Sequence, residues 1–239
     1  MQISRKFAFA SMIVLGAGLA YAADQTILGS SFLLKDPKGI ADTTKRKVVG
    51  KGKEKGSSNT IVGDPTATGG SLTVSASGGT PSAQVFALPQ GTSGITGKQF
   101  WTGTTLKGFK YKDPKGEQGP VKVAQIKKSA SGTFTIKAVA VGKNGLITVL
   151  PPNPGTAGCV LLVINGGDSY SVQFGATSLI SNKGTQQFKA KKPTVEGSCI
   201  TPTTTTSTTA TPTTSTTSTT APYGSPSRAF VERVLGLLD

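Results

Sequence analysis

The sequence predicts an all-β, sandwich-like body set between an export signal and a Thr-rich C-terminal tail. Three observations carry this prediction. Short runs show a two-residue apolar period, glycine is abundant between them (31 of 239 residues), and no sustained helical apolar period occurs before residue 228.

In chain order, the first element is a leader over residues 1–22. Arg5 and Lys6 supply the positive start, Phe7 to Leu19 is an apolar run, and Ala20-Tyr21-Ala22 places small residues where a signal peptidase reads. The run is too short to be a comfortable membrane span. No cysteine follows at the cleavage point, so no lipid anchor is expected, and no later segment is long and apolar enough to span a bilayer. The expected address is secreted, periplasmic or cell-surface. Loss of Arg5 and Lys6 takes the formal charge from +15 to +13, and Arg228, Arg233, Glu232 and Asp239 cancel in the tail. The basic surplus therefore sits in residues 23–200, long enough to bury a core as one large β domain or two small ones.

Within that body, Ser71–Ala76 alternates with Leu72, Val74 and Ala76 on one face. Gly132–Val141 places Phe134, Ile136, Ala138 and Ala140 together, and Ser169–Phe174 turns Tyr170, Val172 and Phe174 inward. Cys159–Ile164 is apolar on both faces, as in a central strand covered on both sides. Asn165-Gly-Gly-Asp168 reads as its hairpin turn to the Tyr170 strand. Asn144-Gly145 reads as a second hairpin, leading into a strand over Leu146–Leu150. Cys159 and Cys199 are the two cysteines, and an oxidising compartment favours one bridge between them over two buried thiols. It would close a loop of about 40 residues and stabilise the fold by roughly 3–4 kcal/mol.

A repeat divides the body into units of about 30–108 and 109–200. Phe32-Leu-Leu-Lys-Asp-Pro-Lys-Gly39 recurs as Phe109-Lys-Tyr-Lys-Asp-Pro-Lys-Gly116, with a looser echo at Phe188-Lys-Ala-Lys-Lys-Pro193. Independent solutions to the same strand-and-turn problem would look alike. After the body, residues 201–227 form a Thr/Ser/Pro-rich linker too polar to fold. Residues 228–239 could form a short helix, with Phe230, Val231, Val234, Leu235 and Leu238 on one face.

Chemistry is sparse. Histidine is absent, which removes the commonest general base and most zinc sites, so no metal, cofactor or catalytic residue is assigned. Between residues 30 and 200 stand eight carboxylates: Asp36, Asp42, Glu54, Asp64, Asp113, Glu117, Asp168 and Glu196. Asp36, Asp64 and Asp113 precede proline, where their simplest role is turn formation. Glycoside hydrolysis needs only two carboxylates, but no spacing selects a pair. Gly50-Lys-Gly-Lys-Glu-Lys-Gly-Ser-Ser58 lacks the lysine of a phosphate loop and reads as a flexible basic loop.

The cations carry the main functional hint. Lys45, Arg46, Lys47, Lys51, Lys53 and Lys55 cluster within eleven residues, and Lys110 and Lys112 would form a stripe if Phe109 and Tyr111 point inward. Such a field draws extracellular polyanions or cell-wall glycans. Alternatively it is a solvated face protecting strand edges. Intracellular nucleic acid is disfavoured by the leader. Trp101, the single tryptophan, lies in the Gly/Thr-rich segment Gly97–Gly108; exposed it would stack on a sugar ring, buried it would plug the core.

The segments Lys45–Val49, Asp64–Gly70, Phe86–Pro89, Gly108–Pro114, Tyr170–Gly175 and Phe188–Lys191, in that order, resemble those of a family of secreted, repeat-bearing β domains from environmental Gram-negative bacteria. The resemblance spans about residues 30–200 and implies fold rather than activity. The family tends to carry a cysteine after the tyrosine of the Tyr170 strand. Here Ser171 stands there and Cys159 lies on the neighbouring strand, which implies a bridge to Cys199 shifted sideways if the two strands pair. The functional expectation is a secreted or cell-surface structural or adhesive protein without catalysis. A binding module for anionic or neutral glycans is the second reading and a glycan hydrolase the third.

Overall fold

Alternation along the chain sorts side chains between one interior and two outer faces. The computed structural model describes residues 22–199, which belong to one compact unit. The leader before Ala22, the linker 201–227 and the helix expected over 228–239 lie outside the described residues. Among the described residues no helix is long and apolar enough to cross a membrane.

Thirteen strands build two sheets. They are β1 (Asp24–Thr26), β2 (Gly29–Lys35), β3 (Lys47–Glu54), β4 (Gly70–Gly78), β5 (Ser82–Leu88), β6 (Trp101–Thr104), β7 (Gly108–Lys112), β8 (Val121–Lys128), β9 (Phe134–Val141), β10 (Gly155–Ile164), β11 (Ser169–Phe174), β12 (Leu179–Lys183) and β13 (Gln187–Lys191). The smaller sheet runs β1-β11-β10-β4-β5, and the larger runs β12-β13-β2-β3-β9-β8-β7-β6. All neighbours are antiparallel except β1, which lies parallel to β11. One four-residue helix, α1 (Pro65–Thr68), precedes β4 and is capped by Asp64, whose carboxylate accepts from the Thr66 amide at 2.9 Å.

The sheets face each other across a core that includes Phe32, Leu72, Val74, Phe134, Val160, Leu162, Val172, Phe174 and Phe188. Bare backbone receives bulk across this interface. Gly50 faces Val160, Gly52 faces Ile27 and Val172, and Gly155 faces Phe188. A Cβ on Gly158 or Gly29 would come within 2.5 or 2.7 Å of the rings of Phe32 and Phe174, respectively. These glycines set how closely the sheets approach, because interiors are packed to near-crystalline density.

Three expectations need correction. Gly50–Glu54 is no flexible loop: it is the second part of β3, a central strand whose inward positions after Val48 include Gly50 and Gly52. Leu146–Leu150 forms no strand, and Gly142–Asn144 is a turn of 3₁₀ helix rather than a hairpin. Ile147 and Val149 are buried all the same. The segment is tied beside β5 by side chains: the Gln84 carbonyl oxygen accepts from the Thr148 amide at 2.7 Å, its amide donates to the Leu146 oxygen at 3.1 Å, and Ser82 Oγ accepts from the Leu150 amide at 2.9 Å. Side-chain amide and hydroxyl satisfy backbone groups that a ladder would otherwise pair. Finally, β10 is central, but its outward Leu161 and Val163 are only half-buried.

The β10–β11 hairpin forms as expected, with Gly166 at φ 70° in its turn. Cys159 and Cys199 are bridged with Cα atoms 5.7 Å apart. Ser171 pairs with Leu161, two residues along β10 from Cys159, and its hydroxyl accepts from the Cys199 amide at 3.2 Å. The three copies of the repeat fall on β2, β7 and β13, all in the larger sheet. Strands from before and after residue 108 nevertheless stand side by side in both sheets: β3 pairs with β9, and β4 with β10.

Candidate functional site

The outer face of the larger sheet follows from register. Wherever Phe32, Leu34, Gly50, Ile136, Tyr111 or Phe188 points inward, its neighbours along the strand point out. One cross-strand row reads Lys191, Ser31, Lys51, Lys137, Gln125, Lys110, Thr102. The next reads Lys189, Leu33, Val49, Val139, Val123, Lys112. Lys35 lies directly opposite Lys47, and Lys53, Lys127 and Lys183 complete the face. None of the sheet positions pointing to this side is a carboxylate. The apolar row of Leu33, Val49, Val139 and Val123 is half-buried, as expected where lysine stems lie across it with their ammonium groups in water.

Like charges directly opposite on neighbouring strands destabilise a sheet. Lys35 against Lys47 and Lys51 against Lys137 are two such pairs. Strands lie about 4.8 Å apart, well inside the Debye length of about 8 Å at physiological salt. The ammonium groups therefore act as one field. Lys189 registers it: Lys191 and Lys183 nearby, with some desolvation, hold its pKa below the usual lysine value. At the β6 edge this face meets a cleft of about 530 Å³ whose lining includes Thr102, Lys112, Lys98 and Phe100.

Of the cations singled out in sequence, Lys47, Lys51, Lys53, Lys110 and Lys112 stand on this face, whereas Lys45 and Lys55 are exposed in the segments flanking β3. Arg46 is removed as a candidate. It is 8% exposed, its Nε lies 3.2 Å from an Asp36 carboxylate oxygen, and its Nη1 donates to the Ile147 oxygen at 2.8 Å. A guanidinium committed to a buried pair offers nothing to a polymer outside. Trp101 is also removed as a glycan-stacking residue. It is 1% exposed, packs edge-on against Tyr111 with ring centroids 5.4 Å apart, and donates its indole N–H to the Leu88 oxygen at 3.0 Å. Lys35, Lys137, Lys183, Lys189 and Lys191 were missed because they are scattered in sequence and only pairing gathers them.

The carboxylates are occupied by architecture. Asp42 caps a 3₁₀ turn by accepting from the Thr44 amide, and the Thr44 hydroxyl, which donates to the same carboxylate oxygen, lowers its pKa. Asp113, fully buried, accepts from the amides of Gly116, Glu117 and Gln118 at 2.8, 3.1 and 2.7 Å. Glu117 holds Ser93 and the Gly94 amide. Asp36 turns to Arg46 rather than to nearby backbone, contrary to its expected turn role. Asp168, fully buried in the β10–β11 turn, accepts from the Ala23 amide at 2.9 Å, the Val62 amide at 2.7 Å and the Tyr170 hydroxyl at 3.2 Å. Burial, then the Asp168 charge, pushes the Tyr170 phenol far above its usual range. Glu54 is raised by burial and by the adjoining Glu196. Glu54 accepts from the Ser57 hydroxyl at 2.7 Å, and Glu196 from the Thr26 hydroxyl at 2.8 Å.

The smaller sheet's outer face is of another kind. It carries Ser71, Ser75, Ser77 and Gln173, with Thr73 and Ser171 buried beside them, among half-buried Leu161 and Val163 and exposed Ala83, Val85 and Ala87; its strands hold no lysine, and Asp24 stands at its edge. No protein family, curated protein or solved structure matches this chain.

Proposed function

We propose that this protein is a secreted or cell-surface module that adheres, without catalysis, to an extracellular polyanion such as an acidic cell-wall glycan, through the outer face of its larger sheet. The observation that carries the reading is the pair of directly opposed lysines, Lys35 with Lys47 and Lys51 with Lys137, on a face whose sheet positions offer no carboxylate to relieve them. Such a face costs stability in the free protein and regains it when a polyanion neutralises the field and releases its counterions. The leader motif and the Cys159–Cys199 bridge support the extracellular address. The commitment of Asp36, Asp42, Asp64, Asp113 and Asp168 to caps, turns and one ion pair supports the non-catalytic part.

The test is binding of the chain from residue 23 onward to a panel of acidic polysaccharides, nucleic acid and neutral glycans, at low and at physiological salt. Saturable binding to an acidic polymer at physiological salt is expected. Lys51→Glu and, separately, Lys137→Glu should each weaken it severalfold while leaving the thermal midpoint unchanged or higher, because either single reversal turns the opposed lysine pair into an ion pair. Binding that disappears at physiological salt, or that survives both reversals, would overturn the reading.

A further inference from the structure

Asp168 belongs to no lysine cluster and to no cleft, and among the described residues no lysine or arginine lies within 4.0 Å of its carboxylate. Its donors come from separate parts of the chain: the backbone amide of Ala23, the amide of Val62, the hydroxyl of Tyr170 and, at 3.4 Å, the hydroxyl of Thr60. The contrast is Asp113, which is buried to the same degree but takes all its amide donors from its own turn. A carboxylate can be held by backbone N–H groups alone, so burial without a cation is not the telling feature. The identity of one donor is. Ala23 is the residue that follows Ala20-Tyr21-Ala22, the small-residue signature of leader cleavage.

Two independent readings therefore meet at one atom, the nitrogen of Ala23. We propose that leader cleavage after Ala22 frees an α-ammonium on Ala23 that forms a partly buried ion pair with Asp168, so that export processing locks the mature fold. Hydrolysis breaks the Ala22–Ala23 amide; the oxygen of water ends on the Ala22 carboxylate and both its hydrogens end on the Ala23 nitrogen. The neutral donor at 2.9 Å becomes a cationic one in the same place. A charge-assisted hydrogen bond is roughly twice as strong as a neutral one. The desolvation cost is small on the cation's side, because Ala22 and Ala23 are exposed and two N–H groups of the ammonium keep their water.

The surroundings hold this terminus in place. The Ala23 carbonyl accepts from the Ser169 amide at 3.0 Å, and β1 begins at the next residue, in register with Ser169, Tyr170 and Ser171. Residue 23 is thus pinned on both sides of its α-carbon. The pair would join the parallel edge strand to the β10–β11 turn and to the Thr60–Val62 segment that also leans on Asp168 and Tyr170.

The experiment has two arms. The protein is expressed with its own leader in a Gram-negative host, and the N-terminus of the exported product is read by mass spectrometry; Ala23 is expected, and any other first residue overturns the proposal. The chain starting at Ala23 is then compared with the same chain Nα-acetylated, and with one extended by Gly-Ser, in thermal melts. The free terminus should melt about 5 °C or more above both. Asp168→Asn should erase that difference. Equal midpoints for the free and acetylated forms, or a difference that persists in Asp168→Asn, would overturn it. If Asp168→Asn does not fold, the acetylated form decides alone, because it leaves Asp168 intact.

Discussion

Removing Arg46 would leave Asp36 buried without its cation, and the Ile147 oxygen without its donor. Breaking a buried pair from one side costs about 3–5 kcal/mol. Arg46→Ala should lose that much in denaturant unfolding, yet bind a polyanion as the parent does when assayed below its melting point. Lys45, Arg46 and Lys47 are consecutive cations with three fates: the end of a 3₁₀ turn, a buried ion pair, and an outward position on β3. Charge was legible in the sequence here; direction was not, because it depends on where β3 begins. The same limit applied to Trp101, whose Gly/Thr-rich surroundings suggest a loop. Its partners, Tyr111 and the Leu88 oxygen, lie ten and thirteen residues away.

Strands with an apolar side chain at every second position were readable; β11 runs over Ser169–Phe174, the residues its alternation marks. β3 was not readable, because its inward positions beyond Val48 are Gly50 and Gly52, and bare backbone has no hydropathy to alternate. The apolar partner is supplied from across the interface, by Val160 and Val172. Gly50→Ala should therefore destabilise by about 1–3 kcal/mol through overpacking. Val160→Ala should return part of that loss in the double variant, a coupling that a double-mutant cycle in urea would measure. Additive losses would show that the two residues do not share the space. Leu146–Leu150 misled in the opposite sense: its apolar alternation is real and its burial follows, but Gln84 and Ser82 make the bonds that a neighbouring strand would have made.

The sandwich as a whole was legible from the density of short alternating runs, but not the way its halves are shared. β3 needs β9, and β4 needs β10, so neither half of the repeat can complete a sheet by itself. The body should unfold in one calorimetric transition with equal calorimetric and van't Hoff enthalpies. A fragment ending at residue 108 should give the circular dichroism of an unfolded chain; a folded fragment would mean that the repeat marks separable domains. Non-local pairing of this kind is not written in any local window: the repeat marks two related units of one body but not which strands they share.

The contrast between the two broad outer surfaces has a consequence for assembly. Lysines crowd one surface, and the other carries serine and small apolar side chains without lysine, so on the proposed reading an acidic polymer would be gripped only from one side. A second polymer strand arriving at the opposite side would meet serine and small apolar side chains and find no lysine on its strands. Molecules recruited to such a polymer would line it as a single coat, serine side outward, and would not stitch neighbouring strands into a gel.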